Sequence, residues 1–192
     1  MKISNSERKL NNKGFSLLEL IVTIAIMTIM VTIAVLTVAM LDSSYVEDAE
    51  RGVKDYVSLT RTKSMSVAAK DWYMTVSQDG SDYYAYIYKV VEVKVEEEGV
   101  EITKDETTEF SKQKLGAKLD IYFGQTTGSM IKIDDTNQLK IHFDPSTGKI
   151  KTVTVGMVTQ DLSSGIGYIK FKRNDYDINL KLFYNTGKCE RE

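Results

Sequence analysis

Several groups of side chains in this sequence could do chemistry. Glu19 stands just ahead of a run, Leu20 to Leu41, that holds no charge and only Thr23, Thr28, Thr32 and Thr37 as polar side chains. A carboxylate there suggests a function, because a charge held in hydrocarbon costs about 2.5–3.5 kcal/mol even on the lower scales. Asp134, Asp135 and Asn137 could supply oxygen ligands to calcium. Lys170, Lys172 and Arg173 form the densest basic cluster, with Lys181 and Lys188 further along, and a phosphate backbone is what such a cluster would hold. His142 is the single histidine and Cys189 the single cysteine.

Most of these groups have a plainer reading. The loop Asp134 to Asn137 lacks the EF-hand spacing with its terminal Glu and reads as a hairpin turn. Alternation puts Lys170 and Lys172 on one face of a strand and Ile169 and Phe171 on the other. That is the look of an edge strand, where lysines discourage further pairing. His142 falls on the Lys140 side of Leu139 to Phe143 and reads as a solvated strand position, with no second histidine to complete a zinc or triad site. Gly124 to Ser129 lacks the Lys-Ser/Thr ending of a phosphate-binding loop, and Ser146 to Lys149 has the letters in the wrong order. Both read as loops. A lone Cys189 excludes an intramolecular disulfide and a thiolate cluster, and so near the C-terminus it reads as incidental. The tyrosines of residues 83–88 read as sheet residues rather than a stacking platform. No catalytic residue, metal site or cofactor is expected.

The elements that must carry these groups change character at Lys70. The run from Leu20 to Leu41 makes a helix of about 33 Å, enough to cross a hydrocarbon core of about 30 Å. Its threonines can bond back to the preceding turn. Beyond Asp42, small or apolar residues recur at Val46, Ala49, Val53, Val57, Thr60, Ser64 and Val67, while Glu47, Glu50, Arg51, Lys54 and Arg61 take other faces. One helix of about 55 residues is therefore predicted from near Ser16, residues 15–41 in the membrane and 42–70 its amphipathic continuation. After Lys70 the period becomes two. Strands are predicted at Trp72 to Val76, Tyr84 to Tyr88, Val91 to Val95, around Ile102, and at Leu119 to Phe123. Others follow at Met130 to Ile133, Leu139 to Phe143, Ile150 to Val155, Tyr168 to Phe171 and Ile178 to Tyr184. Residues 71–192 make an antiparallel β-domain packed on the helix's second half, so the fold class is α+β.

The 192 residues carry a formal net charge of −2. Lys2, Arg8, Lys9 and Lys13 precede the span, and Asp42, Glu47, Asp48 and Glu50 follow it. That asymmetry predicts an N-terminus inside and a C-terminal domain outside the cytoplasmic membrane.

Lys13-Gly14-Phe15-Ser16-Leu17-Leu18-Glu19-Leu20 ahead of a long apolar run resembles the processing motif of type IV prepilins and type II secretion pseudopilins. The resemblance implies a basic leader, residues 1–14, cut off after Gly14 by a prepilin peptidase. Phe15 would then be N-methylated, and Glu19 would meet the free amine of a neighbouring subunit. The implied partners are other pilin or pseudopilin subunits, the peptidase and an inner-membrane assembly platform, and the destination is an extracytoplasmic filament. The motif order further on, from a Trp72 strand through Phe143-Asp144-Pro145-Ser146-Thr147-Gly148 to Asn185-Thr186-Gly187-Lys188, is similar to the H-type pseudopilins and related minor pilins, whose β-domain closes on a Thr-Gly-Lys hairpin. One departure is that no proline stands near Leu36, where many major pilins have one. Two rivals remain: a DNA-binding minor pilin of a competence-type pilus, with Lys170, Lys172 and Arg173 as contacts, and a signal-anchored surface domain that joins no filament. Glu19 distinguishes the prepilin motif from a plain signal anchor, which has no use for it.

Overall fold

The computed structural model describes residues 16–66, 71–97 and 100–192. The chain divides into two compact units, Met1–Met40 and Leu41–Glu192. Gly14, Phe15 and Val67 to Lys70 lie outside the described residues.

Helix α1, Leu17–Ser66, is 50 residues long. It begins where Ser16 can cap it: the hydroxyl Oγ accepts from the Glu19 amide at 3.2 Å, satisfying one of the first-turn donors. The threonines back-bond as expected, Thr23 to Leu20 O, Thr28 to Ile24 O, Thr32 to Thr28 O and Thr37 to Ile33 O, at 2.8–2.9 Å. Their hydroxyls are thereby satisfied without water. Within the first unit the side chains from Leu17 to Val38 are all exposed, and the helix is long and apolar enough to cross a membrane.

In the second unit the helix shows the predicted stripe. Val46, Ala49, Val53, Val57, Thr60 and Ser64 are buried, and so are Tyr56 and Glu50. Glu50 was expected on another face. At 100° per residue it lies one turn on from Val46, at the flank of the stripe, and its carbon chain is covered there.

Eleven strands follow: β1 (Asp71–Asp79), β2 (Asp82–Glu97), β3 (Val100–Ala117), β4 (Asp120–Thr126), β5 (Ser129–Lys132), β6 (Leu139–Phe143), β7 (Ile150–Val155), β8 (Val158–Thr159), β9 (Ile166–Arg173), β10 (Tyr176–Phe183) and β11 (Lys188–Arg191). They form two antiparallel sheets, ordered β3-β2-β1-β6-β7-β8 and β11-β10-β9-β4-β5. The core lies between sheets and helix, with Met74, Ile87, Phe123, Ile141, Phe143 and Phe171 inaccessible to solvent.

The main departure from expectation is the β2–β3 hairpin. Two predicted strands are one continuous β2, and β3 is far longer than the segment around Ile102. From Thr103 to Phe110 every β3 side chain is exposed, and from Ile102 onward Leu115 is its one buried hydrophobic residue. An edge strand with so little to bury has no alternation to reveal it; pairing with β2 from Asp82↔Ala117 to Glu97↔Val100 defines it. The Gly124 to Ser129 loop is likewise reshaped: Gly124 to Thr126 belong to β4, and only Thr127 and Gly128 turn the chain. β8 and β11, too short for a periodic signal, were not expected.

Glycine allows a close approach to α1 at two places. A Cβ on Gly52 would stand 2.8 Å from Leu115 Cδ2, so its absence lets β3 approach the helix, where Tyr56 and Ser111 hydroxyls are 2.7 Å apart. On another side, Gly187 sits at φ +64° with no room for a side chain between Gly148 and Arg61. Arg61 Nε donates to Gly148 O at 3.1 Å, so the Thr-Gly-Lys turn and the Asp144 loop close on the helix together.

Asp144 organises that loop. Its Oδ1 accepts from the Ser146 hydroxyl (2.6 Å), the Thr147 amide (2.9 Å), the Thr147 hydroxyl (3.0 Å) and the Ser146 amide (2.9 Å). These bonds, the Ser146 hydroxyl foremost, hold the carboxyl down at about 2. Because the folded value is depressed, its stabilising contribution is complete above the ordinary value of 3.8 and is lost as pH falls towards about 2. Asp144→Asn should accordingly lower Tm at pH 7 and leave the curves of variant and wild type converging by pH 2. Parallel curves of Tm against pH would contradict this role.

Candidate functional site

Glu19 occupies the first turn of α1, where negative charge complements the helix dipole. Leu17, Leu18 and Leu20 beside it are 78, 73 and 53 % exposed, so the carboxylate stands in a broad apolar collar. Among the described residues no cation lies within ion-pair distance of it. The arrangement is one acid, fixed in direction by a capped helix, on a surface otherwise suited to lipid.

The basic cluster is differently placed from expectation. β9 is no edge: it pairs with β10 on one side and β4 on the other. Alternation reveals which face a lysine takes, but not where its strand sits in the sheet. Lys170 Nζ is 2.6 Å from Asp177 Oδ2. In register, Lys172 stands between Asp120 and Asp177. Arg173 Nε donates to Asp42 Oδ1 at 2.7 Å and its Nη1 to Ala117 O at 3.0 Å, while its guanidinium lies 4.1 Å from the Tyr45 ring centre. Asn174 Nδ2 bonds the other Asp42 oxygen at 2.7 Å, and that bond, then Arg173, keep the Asp42 carboxyl below its ordinary value against the opposing effect of burial. The three cations thus share their surroundings with carboxylates instead of presenting a basic face.

The Asp42–Arg173 pair joins residues 131 apart in sequence, which is why no local pattern could reveal it. Arg173→Met should lower Tm by several degrees, and Asp42→Asn should cost less in the Arg173→Met background than alone. Additive losses in thermal unfolding would show that the two side chains act separately.

His142 is half-buried rather than solvated. Its Nδ1 is 2.9 Å from Asp71 Oδ2, and its ring stacks on Tyr73 at 4.6 Å. Burial pushes the Asp71 carboxyl up, but the contact with His142, the bond from the Trp72 amide and the nearby Lys151 charge together leave it lowered. Tyr73 in turn stacks on Tyr88 at 5.1 Å, and Tyr88 on Tyr86 at 5.9 Å. Rings in the middle of this row cover one another's faces, so a nucleobase finds no open face there.

Asp134 accepts from the amides of Asn137 (2.6 Å) and Thr136 (2.9 Å), and so closes the expected turn with its own oxygens. Cys189 is a free cysteine. It is buried on β11, and burial pushes its thiol up to about 11.

Residues 9–35 match the family model described as the prokaryotic N-terminal methylation motif, the signature of type IV prepilins and pseudopilins. The chain carries the prepilin signature. The match takes in Gly14, Phe15 and Glu19 and ends within the apolar half of α1, so it describes nothing of Leu41–Glu192. No curated protein and no solved structure matches the chain. The signature and the apolar helix that carries it, suited to a membrane anchor, are what the chain shares with type IV pilin-like proteins.

Proposed function

We propose that the chain is a minor pilin or pseudopilin, a structural subunit with no catalytic role. A prepilin peptidase cuts after Gly14 and methylates Phe15, and an inner-membrane platform draws the mature helix into a filament. Other subunits, the peptidase and the membrane are the partners, and the β-domain faces outward. The observation that carries this reading is Glu19, fixed on the first turn of a helix otherwise fit for lipid, inside the matched motif. In the membrane the carboxylate is costly, whereas in a filament it can pair with a neighbour's Phe15 amine while the spans pack on one another. The Thr186-Gly187-Lys188 turn against Arg61, closing the domain on the helix, supports the H-type comparison.

Mass analysis of the mature N-terminus from cells with an active peptidase should find methylated Phe15 as the first residue. A bulky residue at Gly14 should block the cut. Recovery of chains that still begin at Met1 would instead favour a signal-anchored surface domain. DNA binding through Lys170, Lys172 and Arg173 draws no support from their carboxylate neighbours.

A further inference from the structure

The edge strand β11 and helix α1 enclose a cavity of about 210 Å³. Its α1 wall follows from spacing: Lys54, Ser58 and Arg61 recur after four and three residues and so share one helix face. β11 supplies Lys188 and Glu190 from the other side, and Val57 and the buried Cys189 add an apolar portion.

Three cations in this lining meet one carboxylate. Glu50 and Asp55 are close enough to raise the Cys189 thiol by charge, yet neither lines the cavity. Among the described residues Lys54 and Lys188 join no ion pair. Arg61 spends only Nε, on Gly148 O at 3.1 Å. That bond fixes the guanidinium and leaves both its Nη groups without a partner among the described residues, in the fork that suits an oxyanion. Cations gathered without counter-charges repel one another, and an anion among them relieves the repulsion.

The charge is uneven along the cavity. Gly187 stands against Arg61, where a Cβ would come within 3.1 Å of Arg61 Cδ, and Arg191 Nη2 donates to Glu47 Oε1 at 3.2 Å. β11 therefore runs antiparallel to α1, which places Lys188 towards the Arg61 end and Glu190 towards the Lys54 end. The first end holds cations only. The second offers an acceptor as well.

We infer that this cavity is a binding site for a small hydroxylated phosphate monoester. Three cations against one carboxylate leave an excess of two positive charges. A phosphate monoester brings about −1.5 to −2 at pH 7 and so matches that excess on one group, whereas a monocarboxylate covers half of it. The Nη groups of Arg61 and the ammonium of Lys188 take the phosphate oxygens, Lys54 adds charge, and Glu190 accepts from a hydroxyl. The site lies wholly within Leu41–Glu192, so it is independent of leader cleavage and of Glu19.

The test is calorimetric titration of the full chain, in non-ionic detergent and phosphate-free buffer, with glycerol 3-phosphate. Saturable 1:1 binding with Kd below about 1 mM is expected at about 50 mM salt, weakening several-fold at about 500 mM. Lys188 and Lys54 are exposed, so Lys188→Gln should keep the wild-type Tm and bind about tenfold more weakly or worse. Should Lys188→Gln fail to fold, Lys54→Gln carries the same expectation of weaker binding. Glu190→Gln removes the one repelling charge and should bind several-fold more tightly. Acetate should bind at least about tenfold more weakly than glycerol 3-phosphate, and glycerol not at all. No saturable binding, affinity untouched by the lysine variants, weaker binding by Glu190→Gln, or acetate or glycerol bound as tightly as the ester would each overturn the inference.

Discussion

Glu19→Gln is expected to leave membrane insertion and leader cleavage intact and to reduce incorporation into filaments by about two to three and a half orders of magnitude. Glutamine keeps the shape and hydrogen bonding of glutamate and removes only the charge. In lipid that removal is a relief, since a charge at membrane depth costs about 2.5–3.5 kcal/mol or more. Within a bundle of spans it leaves the neighbour's Phe15 amine buried and unpaired, and breaking a buried pair costs about 3–5 kcal/mol. At about 1.4 kcal/mol per tenfold, that amounts to a factor of roughly 100 to 4,000. Ser16 still caps the helix through the residue-19 amide, so local helix structure is not the variable. Subunit content of purified filaments, compared at equal membrane levels of the two proteins, is the measurement. Wild-type incorporation of Glu19→Gln would show that the acid serves processing or membrane position and not assembly.

Val53→Asp should unfold the β-domain unit. Val53 is inaccessible to solvent in the middle of the α1 stripe, between Ala49 and Val57. An aspartate there loses the buried valine and leaves either an unpaired charge or a protonated acid without a partner. The cost is on the order of 4 kcal/mol or more, a large share of the 5–15 kcal/mol that holds a typical domain together. Residues 41–192 expressed alone should melt cooperatively, with Asp42 retained to bind Arg173, and the Val53→Asp form of the same fragment should show no cooperative transition. An unchanged Tm would mean that the helix face is assigned wrongly.

These two residues mark how far local sequence reaches. Glu19 needs no fold to be noticed. A carboxylate before an uncharged run of some 22 residues is unusual on composition alone, and the glycine-aromatic-acid order adjoining it is a linear motif that a peptidase can read in an extended chain. The buried helical stripe was equally legible, because 3.6-residue periodicity is imposed by the helix itself and apolar residues fall on the side that meets the core. Strands with a buried face, such as β6 and β9, were legible for the same reason at period two. The long β3 was not, since an exposed edge strand buries almost nothing and so carries no pattern.

What only the tertiary structure decided was the company each charged group keeps. Local sequence marks a lysine or histidine as polar and assigns it a face, but its partner comes from another strand or from the helix. Arg173 with Asp42, His142 with Asp71 and Tyr73, and Lys170 with Asp177 turn apparent solvated or basic positions into internal contacts. Conversely, Lys54, Arg61 and Lys188, far apart in the sequence, line one cavity because β11 returns beside α1. Coulombic and hydrogen-bonding energies depend on distances of a few ångströms, and for residues so far apart along the chain those distances exist only once the sheets have closed on the helix.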